Sequence, residues 1–194
     1  MAARAAFALC LALACVSALV LAQPAPPDGP PVPFEDAGVC PFELCTYGDW
    51  TARRAVVVRR ERRRGSPIVF RVARGEKVTA ITGVVITLEA GRVRFRVRHE
   101  MVSRSGPLIV MPGQVLYLLT YQGEGFTKAW FDGRLYDELD GTEFFNLACE
   151  DDPGRCAGRI VVQPRREWWA QVRNAAGQVG WTDQAETFSQ PRAG

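Results

Sequence analysis

Apolar and polar positions alternate in short runs through most of the chain after residue 50, and helical periodicity is nearly absent. Alternation with a period of two is the pattern of a strand with one buried face. Glycines stand between many of these runs and supply the tight reversals that join strands. The pattern predicts an all-β protein, either a small barrel or a sandwich. The predicted strands are 53–59, 68–72, 77–88, 92–98, 115–121, 127–131, 159–163, 168–174 and 179–182.

The segment 92–98 alternates without a break. As a strand it would place Val93, Phe95 and Val97 in a core and turn its four arginines to the other face. Such a row of arginines is either a solvated face or one wall of a site for an anion. Both interpretations stay open at the level of sequence.

Two stretches of the chain, 70–82 and 108–120, share one order of apolar, glycine and threonine positions at an offset of thirty-eight residues. A repeat of this kind indicates two related structural units. We therefore expect two barrels in tandem, at 40–104 and 105–188, the second with an acidic insertion. A single barrel with a long insertion, or a chance similarity between two hairpins, is the alternative.

The first residues have the pattern of an export signal. Arg4 precedes an apolar run over 5–22, which ends in Val20-Leu21-Ala22. This predicts a signal peptide cleaved after Ala22, with an uncleaved anchor or lipidation at Cys15 as alternatives. The proline-rich stretch 23–39 is then an extended spacer, and 189–194 is a tail. The mature protein would be periplasmic or secreted.

Cleavage would leave four of the six cysteines, and an even number in an exported chain favours disulfides. Three pairings are possible, and we favour the local ones, Cys40 with Cys45 and Cys149 with Cys156. The alternative is a zinc site, although structural zinc sites prefer shorter spacings between their ligands.

Charge is unevenly distributed along the chain. Residues 51–104 carry a net of eleven positive charges, and residues 132–152 carry a net of seven negative charges. The two segments could dock on each other, or the basic one could face an anionic partner. The run 59–64 would suit nucleic acid in a cytosolic chain, but export favours anionic polymers of the cell envelope.

The segment 168–181, Trp-Trp-Ala-Gln-Val-Arg-Asn-Ala-Ala-Gly-Gln-Val-Gly-Trp, is similar to the last hairpin of bacterial SH3-like domains. Residues 55–78 resemble the opening of the same domain type, and Tyr47-Gly48-Asp49-Trp50 resembles the start of exported bacterial proteins that contain it. The stretch between Met101 and Ala157 departs from that pattern. The resemblance implies binding of peptides, cell-wall glycan peptides or partner proteins rather than catalysis.

We expect a binding module of the cell envelope that recognises a cell-wall peptide or glycan, or an anionic polymer. The alternative is a structural or protein-interaction scaffold without a small ligand. The two differ in whether the aromatic side chains are open beside the arginines. The candidate ligand-binding residues are Trp168, Trp169, Trp130, Tyr121, Arg94 and Arg96.

Nothing in the sequence forms a convincing catalytic constellation. His99 is the only histidine, and the Gly-x-Ser-x-Gly pattern of a nucleophile elbow is absent. The loop carboxylates at 124, 132, 137, 138 and 140 lack the defined pairing of a glycosidase, and Glu150-Asp151-Asp152 lacks the ligand spacing of an EF-hand. We expect no enzyme, no metal, no cofactor, no nucleic-acid partner, and membrane contact only through an uncleaved signal segment.

Overall fold

The computed structural model describes residues 29–42, 45–145 and 156–189. The predicted signal peptide, the first part of the spacer, Cys149 and most of the predicted tail lie outside these ranges. Within them the protein is all-β, with curled antiparallel sheets that include a half-barrel. This confirms the predicted fold class at the level of all-β architecture.

The described residues form fifteen strands, one short α-helix and one 3-10 helix. In chain order the elements are β1 (Phe34–Ala37), β2 (Gly48–Ala52), β3 (Val56–Arg59), β4 (Ile68–Val72), β5 (Lys77–Glu89), β6 (Gly91–Phe95), β7 (His99–Met101), β8 (Leu108–Val110), β9 (Val115–Gly123), β10 (Phe126–Phe131), β11 (Arg134–Asp140), α1 (Thr142–Phe145), β12 (Gly158–Val162), β13 (Arg165–Arg173), β14 (Val179–Thr182), the 3-10 helix η1 (Ala185–Thr187) and β15 (Phe188–Ser189).

The first sheet is organised around β5, which is thirteen residues long. The strand order is β15-β2-β5-β13-β14-β3-β4, and β1 also pairs with β5. One edge of β5 pairs first with β2 and then with β1, while β13 follows the other edge from Glu89 to Thr79. The many valines, isoleucines and threonines of β5 favour this extended conformation.

Aromatic residues fill the core of the first sheet. The Trp50 ring lies 5.8 Å from Trp168, 5.5 Å from Phe188 and 5.9 Å from Tyr47, measured between ring centroids. The indole N–H of Trp50 donates to the Thr46 carbonyl oxygen at 2.8 Å, so its polar group is satisfied. The Tyr47 hydroxyl donates to the Val39 carbonyl oxygen at 2.6 Å. Burial raises the pKa of Tyr47, and the neighbouring Trp168 side chain opposes this to a smaller extent.

The second sheet has the order β11-β10-β9-β6-β12, and the two-stranded sheet of β7 and β8 adds to the same core. Val93 and Phe95 are buried there as predicted. Val97 is not, since 54% of its surface is exposed. The strand ends at Phe95, whose backbone accepts the Gly113 N–H and donates to the Gln114 carbonyl oxygen. β6 therefore ends three residues before the end of the predicted strand 92–98, which leaves Val97 outside the core.

The second sheet is inserted into the first. Its strands lie between Gly91 and Val162, whereas the first sheet takes strands from both sides of that segment. The predicted boundary between residues 104 and 105 does not coincide with this division, because Phe95, Met101 and Leu108 share one core. A Cβ at Gly91 would lie 2.8 Å from the Pro164 Cδ, so the chain enters and leaves the second sheet at one narrow point.

The sequence repeat corresponds to a repeated local structure. The Gly75 N–H donates to the Ala52 carbonyl oxygen at 2.7 Å, and the Ala52 N–H donates to the Glu76 carbonyl oxygen at 2.9 Å. Gly113, Phe95 and Gln114 form the same pair of hydrogen bonds, at 2.8 and 3.3 Å. The two glycines also share a positive φ, 85° and 84°, which favours glycine over other residues.

Gly180 provides a test of the close approach between β14 and β3. A Cβ at this position would lie 2.6 Å from the Arg59 carbonyl oxygen and 2.7 Å from the Val58 Cγ1. We expect Gly180→Ala to lower the free energy of unfolding by about 2 kcal/mol, measured by urea denaturation, because the backbone must shift to admit the methyl group. Gly65→Ala is the matched control, since no atom lies within 4 Å of its Cβ position. Equal losses in the two variants would contradict the close approach.

Candidate functional site

The predicted site does not form as expected, because its two tryptophans on β13 are buried. Trp168 is 8% exposed and belongs to the first core, against Trp50 and Phe42. Trp169 points to the opposite face of the strand, yet it is only 1% exposed, and its indole N–H donates to the Glu167 carboxylate at 3.4 Å. Neither ring is open beside Arg94 or Arg96. Arg94 lies on β6 of the second sheet, and Arg96 directly follows that strand.

The basic loop at residues 60–65, here called the arginine loop, lies against the first sheet. Arg62 forms an ion pair with Glu35 at 2.8 Å and lies over the Trp181 ring, 5.5 Å from its centroid. Arg64 pairs with Asp183 at 2.7 Å and with Glu167 at 3.3 Å. The hydrogen bond to Asp183 and the two carboxylate charges raise the pKa of Arg64. The charge of this loop is therefore largely matched within the chain.

The outward face of the second sheet carries a row of partly or fully exposed side chains. Arg92 on β6 pairs with Tyr117 on β9, Tyr117 pairs with Trp130 on β10, and Trp130 pairs with Leu135 on β11. Because alternate residues of a strand face opposite sides, these four lie on the face opposite the core residues Val93, Leu116, Ala129 and Tyr136.

A second row on the same face adds two more arginines. Arg94 on β6 pairs with Arg159 on β12 and with Val115 on β9. Directly opposed side chains of a sheet lie roughly 5 Å apart at their Cβ atoms. We call the five residues Arg92, Arg94, Arg159, Tyr117 and Trp130 the arginine–aromatic face.

The arginine–aromatic face has an excess of positive charge. Arg92, Arg94 and Arg159 are all exposed, and none forms an ion pair within the described ranges. Like charges directly across a sheet repel and reduce stability. A bound anion would relieve that repulsion, so the arrangement favours an anionic ligand.

The two aromatic rings of this face are half-buried. In the part of the chain that the structure describes, the Trp130 indole nitrogen is buried without a hydrogen-bond partner. The Tyr117 ring is bounded by the spacer, since a Cβ at Gly29 would lie 3.5 Å from its Cε1. The spacer thus forms one border of the face, next to Tyr117.

Two of the six predicted site residues, Trp130 and Arg94, lie on this face. The Arg96 guanidinium instead donates to the Cys156 carbonyl oxygen at 2.7 Å, and the Tyr121 hydroxyl accepts the Gly125 N–H at 3.1 Å near the β9–β10 hairpin. Arg92, Arg159 and Tyr117 were not among the predicted site residues. The alternation of β6 could have indicated Arg92, but Arg159 requires knowledge of strand order.

The predicted disulfide between Cys40 and Cys45 is confirmed. Cys156 is also disulfide-bonded, and its predicted partner Cys149 lies outside the described residues. The Cys40–Cys45 loop carries Phe42, whose ring meets Trp168 edge-on at 5.3 Å. This loop therefore closes the side of the first core where Trp168 lies.

His99 stacks on Phe95, with ring centroids 6.0 Å apart, and belongs to no metal cluster, since the described residues contain no group of three or more suitable ligands. Over the same ranges, no helix has the length and apolar character needed to cross a membrane. Comparisons of the chain with protein-family models, curated proteins and solved structures find no match.

Proposed function

We propose that this protein is an exported, non-enzymatic binding module of the cell envelope that recognises an anionic glycan polymer through the arginine–aromatic face. The observation that carries the proposal is the direct pairing of Arg94 with Arg159, without carboxylate partners, beside the row formed by Arg92, Tyr117 and Trp130. Guanidinium groups bind carboxylates and phosphates with two parallel hydrogen bonds. Aromatic faces offer an apolar surface on which a sugar ring can lie.

The proposal includes two SH3-like barrels, with the second inserted between β5 and β13 of the first. It is supported by the matching hydrogen bonds around Gly75 and Gly113. The order of elements is also similar, because each unit has a short helical turn near its end and, later in the chain, a strand that pairs with one of its early strands: β15 pairs with β2, and β12 pairs with β6.

A scaffold that binds another envelope protein is the second candidate. The burial of Trp168 and Trp169 favours it, since an open aromatic groove on β13 was the feature expected of a ligand-binding module. The arginine–aromatic face favours the first candidate, because like charges directly opposed across two strands reduce the stability of the sheet and a bound anion would relieve their repulsion. Export remains part of the proposal on the strength of the signal-like sequence at 1–22.

Binding to a soluble anionic polysaccharide tests the proposal. We expect heparin, used as a probe, to bind the mature chain more tightly than neutral dextran. The double variant Arg94→Gln/Arg159→Gln should lose about tenfold in affinity, because it removes two exposed charge contacts that each contribute about 0.7 kcal/mol. Calorimetry at two salt concentrations measures this. The wild-type affinity should fall with salt, and the variant should depend on salt less steeply.

The matched control removes the same number of charges elsewhere. Arg74 and Arg173 are exposed, form no ion pair within the described ranges, and belong to the first sheet or its turns. Arg74→Gln/Arg173→Gln should therefore leave heparin affinity within about twofold. An equal loss in both double variants would mean that binding follows net charge alone, and failure of the wild-type chain to bind would favour the scaffold.

A further inference from the structure

Arg166 on β13 is a partly buried arginine without a partner in the described part of the chain. Its side-chain Nε is buried and donates no hydrogen bond there. Its guanidinium also forms no ion pair within the described ranges. A buried arginine usually has a carboxylate partner, because removing an unpaired charge from water is costly. The residue as a whole is only half-buried, so solvent and small ions can still reach it.

The carboxylates of Glu89 and Glu167, which neighbour Arg166 in the first sheet, pair with more exposed arginines. Glu89 pairs with Arg165 at 4.0 Å, and Glu167 pairs with Arg64 at 3.3 Å. Those two arginine side chains are 64% and 70% exposed. Burial lowers the pKa of Arg166 to about 10, and no carboxylate of the described residues raises it again. Arg166 therefore keeps its charge at pH 7, and the described residues supply no counter-charge.

The strand register places Arg166 on the face of the first sheet that meets the second. Arg166 is paired with Thr87 of β5, and Thr87 is paired on its other side with Phe34 of β1. Directly paired residues of a sheet share one face. The Thr87 hydroxyl donates to the Leu119 carbonyl oxygen of β9 at 3.2 Å, so this face is in contact with the second sheet. Arg166 therefore lies at the junction between the two sheets.

The pairing of β13 with β5 is irregular immediately before Arg166. Arg165 is paired with Glu89, and Arg166 is paired with Thr87, so one residue of β5 is passed over. A bulge of this kind changes the direction of the side chains around it, and bulges are common next to functional sites. Here it separates an exposed, paired arginine from the partly buried, unpaired one.

We propose that Arg166 binds an oxyanion at the junction of the two sheets. The Nε and one terminal nitrogen of a guanidinium donate two parallel hydrogen bonds to two oxygens of a phosphate, sulfate or carboxylate group. Such a group supplies the missing counter-charge and gives the buried Nε an acceptor. A cation would be repelled, and a neutral ligand would leave the charge unpaired. The inference goes beyond the proposed function, because the site needs neither a polymer nor the arginine–aromatic face.

The experiment titrates the mature chain with inorganic phosphate, and separately with acetate, in place of sodium chloride at constant ionic strength. Chloride is the reference because a single atom cannot accept two parallel hydrogen bonds. The NMR signal of the Arg166 Nε–H should shift and saturate, and the tighter oxyanion identifies the class. Arg166→Gln should weaken binding about tenfold, followed through the Thr87 backbone signal, since it removes a charge-assisted pair of hydrogen bonds. Arg166→Lys should weaken it less, because lysine keeps the charge but loses the fork.

Arg165→Gln is the matched control, because it removes the same charge at the next residue. It should leave phosphate affinity within about twofold. Arg94→Gln/Arg159→Gln should also leave it unchanged, so failure of this site and failure of the proposed function are distinguishable. Heparin added to the phosphate-bound chain identifies the source of the oxyanion. Displacement of phosphate from Arg166 would assign the group to a polymer, and simultaneous binding would assign it to a free ion.

Thermal unfolding separates a binding role of Arg166 from a structural one. In chloride alone, Arg166→Met should raise Tm by about 3 °C, because the variant no longer buries an unpaired charge. Phosphate should raise the Tm of the wild-type chain but not of this variant. A structural arginine would instead lower Tm when replaced. That result, no saturable shift with either oxyanion, or equal losses in Arg165→Gln and Arg166→Gln would overturn the proposal.

Discussion

Replacing Trp50 by alanine is expected to lower the free energy of unfolding by about 4 kcal/mol, near the upper end for large-to-small changes in a core. The side chain is fully buried and contacts Tyr47, Trp168 and Phe188, which come from three separate parts of the chain. Its removal would leave a cavity that these rings cannot close, because each is fixed on its own strand or loop. Urea denaturation of the mature chain, with the disulfides intact, measures the change.

Trp181 is the matched control for this prediction. It is half-buried on β14 and lies under Arg62 rather than in the core. Trp181→Leu should cost about 1 kcal/mol, because it loses a cation–π contact and some apolar area but leaves no cavity. Similar losses for the two tryptophans would show that the first core does not depend on the aromatic cluster around Trp50.

The strands that sequence predicted best are those with strong alternation or many β-branched residues. The predicted strands 68–72 and 179–182 coincide with β4 and β14, and 77–88 falls one residue short of β5. Strands β1 and β2 were not predicted, because Phe34–Ala37 and Gly48–Ala52 are short and contain aspartate or glycine. Their extended conformation comes from pairing with β5, which is a tertiary effect.

The burial of Trp169 shows why candidate site residues are harder to predict than strands. Alternation correctly places Trp168 and Trp169 on opposite faces of β13, but it carries no information about what covers the second face. On that face Glu167 binds the Trp169 indole and also pairs with Arg64 of the arginine loop. The contact joins residues about a hundred positions apart, so the local pattern could not reveal it.

The arginine–aromatic face also depends on contacts between residues that are distant in sequence. Arg92 and Arg94 are close in sequence, but Arg159 reaches them only because β12 pairs with β6 across the inserted segment. The sequence repeat predicted two related units without indicating that one interrupts the other. Strand order, which depends on long-range pairing, determines both the division between the cores and the composition of this face.

The two sheets are joined by a buried ion pair. After the replacement of Trp50, breaking this pair is expected to cause the next largest loss in the free energy of unfolding. The Lys128 ammonium lies 2.8 Å from the Asp36 carboxylate and 3.6 Å from Asp137, and the side chains of Lys128 and Asp36 are 15% and 8% exposed. We expect Lys128→Met to lower the free energy of unfolding by about 3 kcal/mol, because Asp36 would keep a buried charge without its nearest cation.

The double variant Lys128→Met/Asp36→Leu separates the cost of an unpaired charge from the value of the pair. Removing both charges also removes the desolvation penalty of each, so we expect the double variant to recover most of the stability lost in Lys128→Met. The second oxygen of Asp36 is buried without a hydrogen-bond partner in the part of the chain that the structure describes, which adds to that penalty. A double variant as unstable as Lys128→Met would instead mean that the ion pair itself holds β1 against β10, and that apolar packing between the sheets contributes little.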